Sequence, residues 1–170
     1  LFPISDPPER PHFPVACPHP CSSLRLPPLD PRSLAKGFVG KNSLMGSIPT
    51  QLGYLTVMTD FFWTCQMSLT GAIPTQLGLQ TLIKSSFKLQ DNRLIGTLPT
   101  EFGLQTLRTA GMNFYSNSLS GRIPSELGEL TGMTGYFNLY SNKFCGEIPS
   151  EVTALSAQVA SDWEIIEGNH

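Results

Sequence analysis

The sequence has 170 residues, of which 40% are hydrophobic and only 14% are charged, with a formal net charge of -2. A chain of this length and apolar content can bury a continuous core in one or two domains. Its weak charge offers no basic field for a nucleic-acid backbone and no polybasic patch for a membrane surface. No apolar run reaches the roughly 18 residues of a membrane span. We therefore expect no nucleic-acid partner, no transmembrane segment, and membrane association only through partner proteins.

The first segment, residues 1–31, holds ten of the fifteen prolines, which favours an extended, polyproline-like arm. The chain starts at Leu1 without a basic or apolar leader, so we interpret it as processed. In "CPHPC", Cys17 and Cys21 can form a small disulfide loop or stay as exposed thiols. A zinc site that adds His19 is disfavoured, because the alternating prolines splay the ligands.

Residues 32–45 resemble a degenerate half repeat, because Asn42 and Leu44 are in phase with a 25-residue pattern that occupies the rest of the chain. "GFVGKNS" does not have the spacing of a phosphate-binding loop, which needs four residues between its glycines. We therefore expect no nucleotide site in this segment.

That repeat of 25 residues is marked by the motif Gly-x-Ile/Leu-Pro. The motif begins at Gly46, Gly71, Gly96, Gly121 and Gly146, and its glycine is position 1 of each repeat. We call residues 46–70, 71–95, 96–120, 121–145 and 146–170 coils 1 to 5. Coils 1 to 4 form four full repeats over residues 46–145, and residues 146–170 read as a capping repeat.

Two extended segments are expected in each coil. Phe137 and Leu139 lie two residues apart, the period of a strand with one buried face. No coil can bury that face alone, so the coils must stack and their strands must form one parallel sheet. A second, shorter strand precedes the proline, and the proline then begins a short 3₁₀ turn.

A buried asparagine comes after the first strand of each coil, and its amide must hydrogen-bond to backbone groups where the chain turns. Met67 takes this place in coil 1, which indicates either a degenerate repeat or an altered docking surface. The predicted ladder consists of Asn42, Asn92, Asn117 and Asn142.

The pattern x-L-x-x-N-x-L-x-G-x-I-P-x-x-L-G over residues 46–145 resembles the plant-specific class of leucine-rich repeat proteins. The resemblance implies an α/β-type solenoid that is mostly β, with parallel strands on the concave face, short second β segments and 3₁₀ turns. Repeats of that class are usually one residue shorter, and the extra residue lies in "TGY" and its equivalents. Met and Phe at leucine positions are similar to repeats of unicellular algae, which implies an algal, plastid-bearing source.

Catalysis is the least supported function, because the three histidines, His12, His19 and His170, lie outside the repeats. A hydrolase or transferase needs a nucleophile, a base and an orienting group that converge. We expect no catalytic residue, no metal site and no cofactor.

The strand residues that face solvent predict a protein-binding surface, because they are rich in aromatic and amide side chains with little charge. The alternative is that exposed aromatics only cover their neighbours. The predicted partner-binding residues on the concave face are Phe61, Trp63, Lys88, Gln90, Asn113, Tyr115, Tyr136, Asn138 and Tyr140.

The preferred function is a non-catalytic protein-interaction module, a small accessory or scaffold subunit of a larger assembly such as a photosystem. Two alternatives stay open: an extracellular receptor-like recognition fragment, and an ice- or surface-binding structural protein. The chain has no Asn-x-Ser/Thr site, which favours an organelle lumen, such as the thylakoid lumen, over secretion.

Overall fold

Two parallel sheets run along the stack of coils. In this computed structural model, residues 37–38, 45–59, 62–63, 67–159, 163–165 and 169 are described. The predicted arm with Cys17 and Cys21, and the predicted residues Asn42 and Phe61, lie outside the described residues. In chain order the strands are β1 (Gly37–Phe38), β2 (Met45–Ser47), β3 (Phe62–Trp63), β4 (Ser68–Ala72), β5 (Phe87–Lys88), β6 (Arg93–Gly96), β7 (Met112–Asn113), β8 (Ser118–Gly121), β9 (Phe137–Asn138), β10 (Lys143–Phe144) and β11 (Trp163–Glu164).

The first strand of every coil belongs to a six-stranded sheet with the order β1-β3-β5-β7-β9-β11. Phe62 pairs with Phe87, which pairs with Met112, so the register advances by one repeat at each step. The second strands form a five-stranded sheet with the order β10-β8-β6-β4-β2. The predicted solenoid, with parallel strands and short second β segments, is confirmed. The expectation that the second strand is the shorter one is wrong for coils 1 to 3, because β4, β6 and β8 have four or five residues whereas β3, β5 and β7 have two.

Short helices begin directly after the motif proline of each coil. The sequence predicts that proline at the first helical position, but it is the N-cap, one residue earlier. In coil 2 its φ is -65° but its ψ is 133°, in the extended region, and its carbonyl accepts a hydrogen bond from the amide of Leu77 at 3.0 Å. The 3₁₀ helices are Thr50–Tyr54, Thr75–Leu79, Thr100–Leu104 and Ser125–Glu129. Coil 5 has the α-helix α1 (Ser150–Ala154) followed by a 3₁₀ turn, Leu155–Ala157.

Coils 1 to 4 each have two glycines, at positions 1 and 8, that are required for different reasons. The motif glycine has a positive φ in every coil, between 77° and 98°, where side chains with a Cβ are strained. The glycine at position 8 is required by close packing, since a Cβ on Gly78 would lie 2.4 Å from the backbone carbon of Glu101. Hence one glycine sets the turn and the other sets the distance between coils.

The core is a continuous column of apolar side chains, because each coil contributes the same positions. Phe87, Phe102 and Phe114 are fully buried, and their ring centroids lie 5.0 to 5.8 Å apart. The column ends in coil 5, where Phe137 packs on Trp163 at 5.4 Å.

The asparagines located after the first strands bind backbone groups of two coils. Asn142 accepts a hydrogen bond from the amide of Leu119 at 3.0 Å. Its side-chain NH₂ lies within hydrogen-bond distance of the carbonyls of Phe114, Leu139 and Tyr140. Asn117 makes the equivalent contacts one coil earlier. Two coils earlier, Asn92 accepts from the amide of Leu69 and donates to the carbonyls of Leu89 and Gln90.

Asn169 occupies the same place in coil 5, although the sequence pattern does not align it there. It accepts from the amide of Phe144 at 3.1 Å and donates to the carbonyl of Leu139 at 3.1 Å. Trp163 pairs with Phe137, which is one residue more than a repeat. Val159 and Ile165 are buried and Glu164 is exposed, as a one-residue slip of the pattern predicts.

One charged side chain lies inside the stack. Arg108 is fully buried at position 13, where the other coils have Met58, Ile83 and Met133. Its guanidinium donates to the side-chain oxygen of Gln105 and to the carbonyl of Ser85. Burial lowers the pKa of Arg108 to about 9, and the electrostatic interaction with Tyr136 acts in the opposite direction. Within the described ranges, the guanidinium is held by these hydrogen bonds to neutral oxygens and forms no ion pair with a carboxylate.

We predict that Asn142→Met, which puts the coil 1 residue into coil 4, lowers the free energy of unfolding by about 2–4 kcal/mol. The reason is that an amide and three carbonyls lose their buried partner. Urea unfolding followed by circular dichroism measures the loss. Lys143→Met, at the exposed neighbouring residue, is the control and should change the value by less than about 0.5 kcal/mol. Equal midpoints for both variants would contradict the structural role of the amide.

We predict that Gln105→Leu alone destabilises the fold by roughly 3 kcal/mol, because the buried Arg108 charge loses an acceptor. The double variant Gln105→Leu/Arg108→Met reproduces the Leu and Met of coils 1 and 4 at these two positions. Replacing buried charge by well-packed apolar groups is neutral or stabilising, so the double variant should equal or exceed the natural chain. Additive losses in the double-mutant cycle would show that the two side chains are not coupled.

Candidate functional site

Apart from Trp63, the predicted binding residues that the structure describes lie on the solvent side of the six-stranded sheet, which we call the concave face. Trp63 is described only as part of β3. Lys88, Gln90, Tyr115, Tyr136 and Tyr140 are half-buried, and their side chains form one patch across coils 2 to 4.

Asn113 and Asn138 differ from the sequence expectation of exposed side chains, because each is only 8% exposed. They occupy the same position in β7 and β9, and their strands pair directly. Flanking tyrosines of the same patch, at positions 16 and 20 of the repeat, are bulky enough to cover amides on the strands between them. These two side chains therefore form the floor of the patch and not its rim.

Two tyrosines of adjacent coils stack face to face. The ring centroids of Tyr115 and Tyr140 lie 4.6 Å apart, with 9° between the ring planes. Both residues occupy position 20, so their separation follows the spacing of neighbouring strands, about 4.8 Å. The pair presents a rigid aromatic platform, which costs little side-chain entropy when a partner binds.

Tyr136 reaches across coil 3 because that coil has glycine at the equivalent position. A Cβ on Gly111 would lie 2.4 and 2.6 Å from two ring carbons of Tyr136. The ring also lies under the Lys88 ammonium, with Nζ 5.3 Å from its centroid. This contact joins coil 2 to coil 4, and it contributes about 0.5–1 kcal/mol at a partly exposed site.

Three polar oxygens of the patch are buried without a hydrogen-bond partner among the described residues. They are Gln90 Oε1, Asn113 Oδ1 and the hydroxyl of Tyr136. A buried acceptor without a donor costs about 1–3 kcal/mol, and a ligand that supplies the donor recovers this energy. The patch can therefore accept hydrogen bonds from N–H or O–H groups of a partner.

Asp91 lies at the edge of the patch, where the chain leaves β5. Its φ is 57°, and Ser116 and Ser141 have the same left-handed conformation at the same position of the next coils. Desolvation raises the pKa of Asp91, while hydrogen bonds with the side chains of Tyr115 and Ser116 act in the opposite direction. The carboxylate thus helps to hold Tyr115 in place.

Metal-binding clusters and membrane-spanning helices can be searched for in the part of the chain that the structure describes. No group of three or more His, Cys, Asp or Glu side chains there could hold a metal ion. Among the described helices, none is long and apolar enough to cross a membrane.

Sequence reasoning missed the contact between Lys88 and Tyr136 and the role of Gly111. The signal was available in the repeat alignment, because Gly111 is the only glycine at position 16, between Ser86 and Tyr136. A glycine next to a large residue on the neighbouring strand indicates that the large side chain lies over the glycine.

No family model matches the chain, and no curated protein matches it. Several solved structures of plant receptors match the chain. The BIR2 ectodomain of Arabidopsis thaliana is 26% identical with a TM-score of 0.63, over 75% of this chain and 62% of that one. The BIR3–SERK2 complex of Arabidopsis thaliana gives 28% identity and a TM-score of 0.61, over 75% and 63%.

A third solved structure is the ectodomain of the receptor kinase GASSHO1/SCHENGEN3 of Arabidopsis thaliana, in complex with CASPARIAN STRIP INTEGRITY FACTOR 2. It is 32% identical with a TM-score of 0.54, over 71% of this chain and 17% of that one. The chain thus spans less than two thirds of the length of these three structures. The recurring motif, the stacked parallel strands and these likenesses together identify the chain as a leucine-rich repeat protein.

Proposed function

We propose that the chain is a non-catalytic module that binds a protein or peptide partner on its concave face. The observation that carries this proposal is the pairing of a rigid aromatic platform, Tyr115 on Tyr140, with buried acceptors on Gln90 and Asn113. Tyrosine is enriched among the residues that dominate interface energies, and these sit in well-packed surroundings. Polar atoms without a partner add a preference for groups that donate.

The solved structures support binding as the function of this fold. The BIR3–SERK2 structure is a complex of two proteins, and the GASSHO1/SCHENGEN3 ectodomain is bound to its factor. Their likeness to this chain includes 28% and 32% identical residues. Sequence identity of 28% and 32% does not show that two proteins bind the same partner. We therefore describe the partner of this chain only by its chemistry.

Two settings for this binding differ in whether the chain is held by other subunits or binds a separate ligand. As an accessory subunit of a larger assembly, the chain would be held by other subunits, with the proline-rich residues 1–31 as a second anchor. As a receptor-like recognition module, it would bind a separate ligand through the concave face alone, as the likeness to receptor ectodomains favours. Mass spectrometry of the native particle, with and without residues 1–31, separates the two settings.

We predict that Tyr115→Ala weakens partner binding by tenfold or more, because a central aromatic anchor is worth about 2 kcal/mol or more. The partner is first captured with a photo-crosslinking amino acid that replaces Tyr140, and it is identified by mass spectrometry. Biolayer interferometry with the purified partner then gives the affinity. Trp63→Ala tests whether the site extends to coil 1.

The control is Ile95→Ala, which removes a side chain that is 53% exposed on the second sheet. Its affinity should stay within about twofold of the natural chain, because surface residues outside the interface contribute little. Unchanged binding by Tyr115→Ala, in a protein that retains its circular dichroism spectrum, would overturn the proposal for the concave face.

A further inference from the structure

The proline-rich arm, residues 1–31, contains a segment whose spacing and charges match the concave face. Within it, proline occurs at every third residue at Pro8, Pro11 and Pro14. A polyproline II helix has three residues per turn, so this spacing places the three prolines on one face of such a helix. Proline-rich segments dock on aromatic side chains, because the polyproline II helix loses little entropy when it binds. Tyr115 and Tyr140, which we call the stacked tyrosines, offer such side chains.

One of the Pro-x-x-Pro sequences differs from the others in charge. The chain has three of them, at residues 8–11, 11–14 and 28–31. Residues 8–11 enclose an acidic residue followed by a basic one, Glu9 and Arg10, whereas the other two enclose His-Phe and Leu-Asp. In a polyproline II helix, Glu9 and Arg10 project on opposite sides of the proline face. The segment is therefore a row of prolines with an anion on one flank and a cation on the other.

The concave face carries the complementary charges on the two flanks of the stacked tyrosines. Both tyrosines are at position 20, whereas Lys88 is at position 18 and Asp91 at position 21. The cation thus lies toward the strand start and the carboxylate toward the strand end. The Lys88 ammonium lies over the ring of Tyr136, which covers Gly111 of coil 3. The Asp91 carboxylate lies beside the stacked tyrosines, since it hydrogen-bonds with the side chain of Tyr115.

We propose that residues 8–11 of the arm dock on the concave face of the same chain, with the first proline on the stacked tyrosines. Glu9 then pairs with Lys88, and Arg10 pairs with Asp91. The consequence for binding rests on the proposed function, because the docked segment occupies the surface that the partner needs. Residues 8–11 are thus an internal competitor of that partner.

The axial spacings agree with this placement. Each residue of a polyproline II helix advances by about 3.1 Å, and neighbouring coils lie about 4.8 Å apart. With Pro8 above the boundary of coils 3 and 4, Glu9 lies over coil 3, where the Lys88 ammonium is. Arg10 is about 6 Å from Pro8 and lies over coil 2, which carries Asp91.

Arg10 also supplies the donors that this part of the patch lacks. The Oε1 atom of Gln90 is buried without a donor among the described residues, and Gln90 precedes Asp91 in coil 2. A guanidinium has five N–H groups, enough for an amide oxygen and a carboxylate together. Charge-assisted hydrogen bonds are roughly twice as strong as neutral ones, so Arg10 is the main polar anchor of the segment.

The handedness of both elements assigns one direction to the docked segment. A polyproline II helix is left-handed. Seen along the chain with the prolines facing the sheet, the residue after a proline therefore points to the right and the next one to the left. Crossovers between parallel strands are right-handed, so the strands run from right to left when the concave face is upward and coil 5 is nearest the viewer. A segment that runs toward coil 1 brings Glu9 to the side of Lys88 and Arg10 to the side of Asp91, whereas the reverse direction brings like charges together.

The connection to the coils favours the same direction. The strand that follows the arm is β1, which is the edge strand of the six-stranded sheet before coil 1. A segment that runs toward coil 1 therefore ends near the strand that it leads into. The roughly 25 residues between Pro11 and β1 can extend about 75 Å, far more than the distance of about 10 Å over two coils. A tethered segment acts at an effective concentration of about 1 mM, so even weak docking keeps most of the chain closed.

The test is photo-crosslinking within the full chain, with no partner present. A photo-crosslinking amino acid replaces Asp6, which lies about 6 Å from Pro8 toward coil 5 in the proposed placement. Peptide mass spectrometry should find crosslinks to the strands of coils 4 and 5, β9 and β11. A mixture of isotope-labelled and unlabelled chains shows whether each crosslink lies within one molecule. Crosslinks between labelled and unlabelled chains, or none to β9 and β11, would overturn the proposal.

Two charge variants test the assigned contacts. Arg10→Glu should lower the crosslink yield by about fivefold or more, because it places like charges together. Arg25→Glu makes the same change elsewhere in the arm, and this matched control should alter the yield by less than about twofold. The exchange Glu9→Arg/Arg10→Glu keeps the composition but puts each charge on the wrong flank, so it should lower the yield as Arg10→Glu does. Equal yields for Arg10→Glu and Arg25→Glu, or a natural yield in the exchange variant, would contradict the assigned contacts.

Partner affinity separates this inference from the proposed function. Because the docked arm competes with the partner, Arg10→Glu should tighten partner binding several-fold, and unchanged affinity would contradict the competition. Absent crosslinks with weakened binding by Tyr115→Ala would overturn the docking of the arm and leave the proposed function standing. Crosslinks with unchanged binding by Tyr115→Ala would leave the docking standing and overturn the proposed function.

Discussion

The hydrogen bonds of one asparagine side chain in each of coils 2 to 5 hold the turn after the first strand, and the rest of the stack depends on that turn. At this point the chain changes direction inside the core, where its carbonyls cannot reach another backbone amide or water. Asparagine supplies two donors and an acceptor on a short side chain, so a single residue can bind both its own coil and the coil before it. The spacing of the coils, the alignment of their strands and the placement of every outward residue depend on this.

Much of the fold is predictable from the sequence, because a repeated pattern averages out local ambiguity. The period-two apolar residues give the strands, the proline gives the start of each 3₁₀ helix, and the glycine at position 8 marks close contact between coils. Asn169 could not be aligned from its spacing, since coil 5 contains an extra residue before Trp163 and its ladder residue comes later still. The burial of Arg108 could not be predicted for a different reason. A charged residue at a position that is apolar in the neighbouring coils has no sequence signature of burial, and its hydrogen bonds with Gln105 and Ser85 explain it.

The candidate site was predictable in position but not in exposure. Alternation along the strands places Lys88, Asn113 and Asn138 on the solvent side, yet the two amides are covered. Whether a side chain on a sheet is exposed depends on the rotamers of its neighbours, here Tyr136 leaning over Gly111 and Tyr115 stacking on Tyr140. These rotamers depend on contacts between neighbouring coils, and a residue pattern within one coil does not contain that information.

The central claim, that side-chain amides replace backbone partners in holding the coils together, is tested most directly by amide hydrogen exchange measured by NMR. The amides of Leu94 and Leu119 donate to the side chains of Asn117 and Asn142, at 3.1 and 3.0 Å, whereas those of Leu89 and Phe114 donate to backbone carbonyls of the next strand. If the ladder is structural, all four should exchange only through opening of the stack and show similar protection. Exchange of Leu94 and Leu119 at the rate of exposed amides, with Leu89 and Phe114 still protected, would contradict the claim.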